Sequence, residues 1–448
     1  MKNIIKNTYI KEVIYILIFT VFFISIGKLL RYALNDDTES YTRVTFHEMY
    51  EQDNIDVLFL GTSHCMHSYD PALLDKALNL NTFNAASSSQ MLDGSLLILK
   101  EAAKNNNIKH VYLDLFYNTS YDVHKKRTQM TSAYIITDYL KPSVSKSAYL
   151  LKASGKEHYA NGFIVARRCW KKLFDPSYVI ELLKKKNTPE YKNFGYKYIT
   201  HENSGYAGKG YIQNKPQVKN WNFFDTWGWL PIAPDTFSED YKNDLISIID
   251  YCKENNIELT LVSAPTSDFC LTSVGDYDEY ISWVRKTAEQ NSIEYYDFNL
   301  CKEEYFPSSS EMFIDPVHLN QYGADKLADT FAKLANGDVT YNEMFYSNYN
   351  EKISSLKPAV FGVSFMNEYD SENNVIRNCR IVTNKSEQLE YKLTLISDNG
   401  EESALRDFSS DIYFVLNAAD TGKVRIDYRN TEGYEETGGS VLLDIPKS

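Results

Sequence analysis

Positive charge is in short supply in this chain. Forty-seven Lys and Arg stand against 60 Asp and Glu, a formal net charge of −13 at pH 7. The sequence pI is near 5.2. That balance argues against broad phosphate-backbone binding, which needs clustered cations, so no nucleic-acid partner is expected. Cysteines are few and scattered. Cys65, Cys169, Cys252, Cys270, Cys301 and Cys379 make no C-x-x-C pair and no metal-finger spacing, and they read as mostly buried, inert thiols. No repeat period and no low-complexity tract is evident. A hydrophobic content of 43% and a charged content of 24% are those of an ordinary folded protein. With 448 residues the chain has room for more than one domain and a large core. Aromatics are plentiful at 14%, with 35 Tyr, which suits sugar-stacking surfaces but equally β-rich packing.

The N-terminal part carries a long apolar run. Val13 to Gly27 is uncharged, and Leu29 and Leu30 extend it beyond Lys28. The stretch is near the minimum for a membrane-spanning helix, with Lys28 able to snorkel to the interface. Lys2, Lys6 and Lys11 precede it, so the positive-inside rule places the N-terminus in the cytoplasm. A cleaved signal peptide is the rival reading. Ile26-Gly-Lys-Leu-Leu-Arg31 offers no A-x-A-like site, which favours an uncleaved anchor. Everything after about residue 35 is then expected outside the cell membrane.

Past the anchor, strands and helices alternate. Asn54–Leu60 reads as a buried strand ended by Gly61, Pro71–Leu78 as a helix, Thr82–Asn84 as a strand, and Asp93–Asn105 as a helix. His110–Leu115 is a further strand. The pattern resumes with helices over Asp240–Asn255 and Tyr277–Asn291, strands over Ile257–Ala264 and Ile293–Phe298, and a helix capped by Asn320. This is the signature of βαβ units on a parallel sheet. Between the halves lies an insertion, about 121–234, with Gly-Tyr loops and Trp221, Trp227 and Trp229. From about Lys357 the runs shorten and alternate, as in Glu390–Ile396, Ile412–Leu416 and Lys423–Tyr428, and predict a small β-sandwich.

Three pieces belong together as chemistry: Gly61-Thr62-Ser63-His64, Asn118, and Asp315-Pro-Val-His318. Serine acyl transfer needs a hydroxyl on a sharp turn, a base to take its proton, a carboxylate to orient the base, and donors for the oxyanion. Ser63 ends the first sheet strand, at the edge where open α/β sheets place ligands. Asp315 and His318 stand on the loop before the last helix, and histidine, with an ordinary pKa near 6.5, suits general-base work.

In these blocks the sequence resembles the SGNH, or GDSL-type, hydrolases over roughly residues 52–120 and 238–338. Gly61-Thr62-Ser63 stands where that family has Gly-Asp-Ser, and Asp315-Pro-Val-His318 matches its final block. Asn84–Ser89 and Leu113–Asn118 look like the two blocks between. The resemblance implies a three-layer α/β/α flavodoxin-like domain with a parallel sheet. It implies Ser63 as nucleophile, His318 as base, Asp315 as orienting acid, and the Ser63 and Ser89 amides with Asn118 as the oxyanion hole. Thr62 for Asp, Ser89 for Gly, and Phe116 and Thr119 around Asn118 depart from the pattern. The anchored arrangement is further similar to extracytoplasmic proteins that act beside membrane-bound O-acyltransferases in teichoic acid D-alanylation or exopolysaccharide acetylation. By that resemblance the partners are an acyl donor, a cell-surface glycan or teichoic acid acceptor, and such a membrane acyltransferase.

The expected layout is an anchor over 1–35, an SGNH-like domain over 40–345 and a β-sandwich over 350–448. His64, at the pocket mouth, and Trp227, on a lid or acceptor surface, are the candidate substrate contacts; packing is the competing role for the tryptophans. His64, His67 and Asp70 are near one another but do not amount to a metal site, and the reading needs no metal and no cofactor. Asp114 reads as a hydrogen-bonded structural acid. The alternatives are an inactive SGNH-like scaffold for a membrane acyltransferase, or a glycan binder acting through the C-terminal strands.

Overall fold

The computed structural model describes residues 2–120, 130–196, 200, 202–217, 222–225, 233–369, 375–417, 419–431 and 438–446. The chain divides into two compact units. One comprises Met1–Glu51 and Arg127–His201; the other comprises Gln52–Lys126 and Glu202–Ser448. The expected boundaries near 35–40 and 345–350 therefore fall inside units, and the insertion is shared between them.

The first unit is helical. Its helix Lys2–Leu34 contains one span, Tyr9–Leu34, long and apolar enough to cross a membrane. Helices Tyr41–Glu51, Thr131–Thr137, Val144–Phe163 and Pro176–Lys186 belong to the same unit.

The second unit is α/β with added antiparallel sheets. In chain order its strands are β1 (Val57–Leu60), β2 (Thr82–Asn84), β3 (His110–Asp114), β4 (Ser204–Gly208), β5 (Tyr211–Asn214), β6 (Phe223–Phe224), β7 (Glu258–Ser263) and β8 (Glu294–Asp297). β9 (Val360–Tyr369), β10 (Val375–Thr383), β11 (Leu389–Ile396), β12 (Glu402–Ser409), β13 (Tyr413–Asn417), β14 (Lys423–Asn430) and β15 (Gly439–Asp444) follow. A parallel sheet runs in the order β2-β1-β3-β7-β8, one of the two common doubly wound orders. Successive side chains of a strand point to opposite faces. Every residue of β1 is buried, so both faces of the sheet centre are covered. On one face Phe331, from the helix Gln321–Ala335, meets the rings of Phe59, Tyr69, Tyr112 and Phe298.

The C-terminal strands form two sheets, β13-β10-β9-β6 and β12-β11-β14-β15. They are antiparallel except where β6, from the insertion, runs parallel to β9. Both contribute to one core, in which Val363, Cys379 and Ile381 of the first sheet join Tyr391, Leu393, Ile426 and Leu443 of the second. The Gly-Tyr stretch expected as loop is the hairpin β4–β5. All six cysteines are free, and all but Cys169 are buried.

Candidate active site

The turn after β1 is fixed by close packing. A Cβ on Gly61 would lie 2.7 Å from Cys65 Cβ and 2.9 Å from Asp114 Cβ, so only glycine lets the strand end pass β3 and enter the next helix. That helix is Ser63–Ser68. Thr62 caps it, its hydroxyl accepting from His64 N at 3.2 Å, the N-cap role to which a threonine side chain is suited. Ser63 is the first helical residue, where backbone amides have no partner within the helix.

The Asp315–His318 loop is held from several sides. Asp315 Oδ1 accepts from the amides of Val317 and His318, each at 2.9 Å. Ser267 donates to Pro316 O through its hydroxyl at 2.6 Å. Asn320 caps the following helix at Gly323 N and donates to Phe313 O at 3.2 Å. Asn214, on β5, donates to Leu319 O at 3.0 Å.

Between these two supports the side chains line up. His318 Nδ1 donates to Asp315 Oδ2 at 2.8 Å, leaving Nε2 to accept from Ser63 Oγ at 2.9 Å. Burial alone would raise the Asp315 carboxyl. The His318 hydrogen bond and charge, with the two loop amides, outweigh it and hold the acid below the usual carboxylate range. An ionised Asp315 fixes the tautomer in which Nε2 is the proton acceptor.

The expected oxyanion donors follow the ends of the neighbouring strands. Ser89, exposed, sits in the turn after β2 with φ +54°, the left-handed conformation that glycine adopts without cost. Hydrogen bonds from Ala85 N to Phe59 O and from Ser87 N to Gly61 O tie that turn to the Gly61 corner. Asn118 is half-buried in the 3-10 turn Tyr117–Thr119 after β3. Among the described residues neither hydrogen-bonds the Ser63–His318–Asp315 row.

His64 needs correction. It does not line a pocket mouth; it is 2% exposed. Its Nδ1 donates to Asp114 Oδ2 at 3.2 Å, Thr266 Oγ1 lies 3.0 Å from Nε2, and Phe116 stacks on the ring at 4.9 Å. Asp114 Oδ1 accepts from Ala264 N at 2.8 Å, in keeping with a structural acid. A short helix turns the residue after the half-buried Ser63 inward, and the buried carboxylate on β3 supplies its partner. That line of groups could have been suspected from Asp114 alone, since an acid inside an apolar strand requires one.

His67 stands edge-on to His318, with ring centroids 5.2 Å apart, and Ile212 O accepts from its Nδ1 at 2.8 Å. The hairpin β4–β5 thereby borders the site, which the sequence did not suggest. Trp227 lies outside the described residues. Among the described residues no cluster of three or more His, Cys, Asp or Glu could hold a metal ion.

The site is thus a serine–histidine–aspartate row at the carboxyl edge of a parallel sheet. No protein-family model matches the chain, and no curated protein does. Among solved structures, a Streptococcus pneumonia protein described provisionally as a platelet activating factor aligns with 68% of this chain and 95% of its own. It is 12% identical with a TM-score of 0.32, a likeness that carries no argument about fold or activity.

Proposed function

We propose that the protein is a membrane-anchored, SGNH-type serine acyl-transfer enzyme. It acts outside the cytoplasm on a cell-surface glycan or teichoic acid, beside a membrane-bound O-acyltransferase. The observation that carries this reading is the row Ser63 Oγ–His318 Nε2–His318 Nδ1–Asp315, at 2.9 and 2.8 Å. An inactive scaffold would have no need to keep those groups within hydrogen-bond reach.

Ser63 Oγ attacks the acyl carbonyl while His318 Nε2 takes its proton, and Asp315 stabilises the imidazolium that forms. Donors at the strand ends, the Ser63 and Ser89 amides and the Asn118 amide group, stabilise the tetrahedral oxyanion, each contributing about 3 kcal/mol. The imidazolium returns its proton to the leaving group, and the acyl group remains on Ser63. A sugar hydroxyl, or water if the enzyme is an esterase, then gives its proton to His318 and takes the acyl group, and His318 passes that proton to Ser63 Oγ as the acyl–serine bond breaks.

The test is acylation of the full chain in detergent by a short-chain p-nitrophenyl ester, read by mass spectrometry of the Ser63 peptide. Ser63→Ala should remove the acyl adduct and lower ester turnover by at least about 10³-fold. Undiminished labelling in that variant sinks the assignment.

A further inference from the structure

One stretch of this acidic chain is strongly basic. Residues 141–192 hold twelve Lys and Arg against four Asp and Glu, a net of +8 within a protein of net −13. They belong to the same compact unit as the apolar helix Lys2–Leu34, and they are fastened to its carboxyl end. Buried Lys186 donates to Tyr32 O at 3.0 Å and Asn35 O at 2.5 Å and pairs with Asp37 at 2.8 Å. Tyr32 Oη donates back to Lys186 O at 3.2 Å, and Cys169 Sγ lies 3.6 Å from Asn35 Oδ1. These bonds set the level of residues 166–186 along the helix. The apolar span Tyr9–Leu34 has 26 residues. At 1.5 Å per residue it covers about 39 Å, enough for a hydrocarbon layer of about 30 Å. The segment sits where that span stops.

At this level the surface is apolar as well as charged. Trp170 is 50% exposed, Leu173 52% and Phe174 78%. They stand at i, i+3 and i+4, and the Trp170 and Phe174 rings meet at 5.9 Å. Arg167, Lys171, Lys172, Lys184 and Lys185 are exposed around them. Aromatic groups interleaved with cations at the end of an apolar span have the composition of an element lying in a membrane interface.

We propose that the segment 167–185 is a membrane-interface collar. Trp170, Leu173 and Phe174 seat in the headgroup–acyl boundary of the leaflet from which the apolar helix emerges, and the surrounding lysines engage anionic headgroups. The inference rests on reading that helix as a membrane anchor. Sign and position favour lipid over a docked protein: the basic excess lies in the unit that carries the span, and the apolar cluster begins where the span ends.

The full chain is reconstituted in nanodiscs of phosphatidylcholine, with or without phosphatidylglycerol, in which the acyl chains are plain or brominated near the headgroup. Tryptophan emission of the wild type is compared with that of Trp170→Phe, so that the other four of the five tryptophans cancel in the difference. Brominated lipid should quench the component that Trp170→Phe removes. Replacing Lys171, Lys172, Lys184 and Lys185 by Glu should weaken this quenching in phosphatidylglycerol discs and leave it nearly unchanged in phosphatidylcholine alone. If the Trp170 component escapes bromine while the protein stays in the discs, the segment faces water or a protein partner, and the collar is refuted with the anchor intact. Elution of the protein apart from the discs overturns both.

Discussion

At the residue scale, the neighbour of His318 matters as much as His318 itself. His67 sits edge-on to His318. Burial pushes it down and the nearby His318 adds to this; the Ile212 carbonyl and Asp315 act the other way, and the balance falls at about 3. In the proposed mechanism, a neutral His67 would not oppose a proton taken by His318 from Ser63. The same shift shapes stability. The folded value lies below the ordinary 6.5, so between them the unfolded chain binds more protons and stability falls as pH drops through that window. The loss assignable to His67 reaches roughly 3 kcal/mol by pH 4. Asp315 acts lower: its depressed carboxyl adds stability above the ordinary carboxylate value, and this is lost as pH falls through the folded one. His67→Asn keeps a donor at the Nδ1 position for Ile212 O and should flatten the fall in urea midpoint between pH 6.5 and 4. A variant whose curve runs parallel to the wild type would show that His67 is not held neutral.

At the scale of elements, the strand–turn–helix around Ser63 depends on a missing side chain. Gly61→Ala places a methyl against two Cβ atoms attached directly to backbone, so the turn itself must move. The expected cost is about 1–3 kcal/mol in unfolding free energy, with Ser63 labelling slowed at least tenfold because the hydroxyl leaves the reach of His318. Wild-type labelling kinetics in this variant would show that the turn has slack. This corner was legible in the sequence, because a continuous apolar strand ending in glycine has few alternative readings. So were β2, the helix Pro71–Leu78 and the Asn320 cap, each set by local signals. The inward turn of His64 was not, since six residues are too few to show helical periodicity. Nor was β6: two residues that pair with a strand far along the chain carry no local signature. In the hairpin β4–β5 the glycines of a loop outweigh a short strand alternation, so the local sequence signals a loop.

At the scale of the whole molecule, the C-terminal sheets are bound into the α/β unit rather than appended to it. The helix Tyr349–Ser355 sends Lys352 inward, where its side chain is 3% exposed. Its ammonium meets Asp268 Oδ1 at 3.1 Å, Asn299 O at 2.9 Å and Ser308 Oγ at 2.7 Å. The Asn299 side chain in turn accepts from Thr266 N at 2.6 Å, and Thr266 reaches His64, the residue after Ser63. Arg380, on β10, donates to Ser273 O at 2.5 Å, and β6 crosses from the insertion into the β9 sheet. A spacer domain could be removed without harm; this one shares buried polar bonds with the support of the site. Removing one partner of a buried ion pair leaves the other charge uncompensated, at about 3–5 kcal/mol. Lys352→Met should therefore lower the thermal midpoint of the α/β unit and the sheets together, in one transition, and slow Ser63 acylation. Truncation before residue 349 should yield protein that neither folds cooperatively nor labels. If the truncated chain keeps its midpoint and its rate of acylation, the sheets are an independent module, and their contacts with the α/β unit contribute nothing to the site.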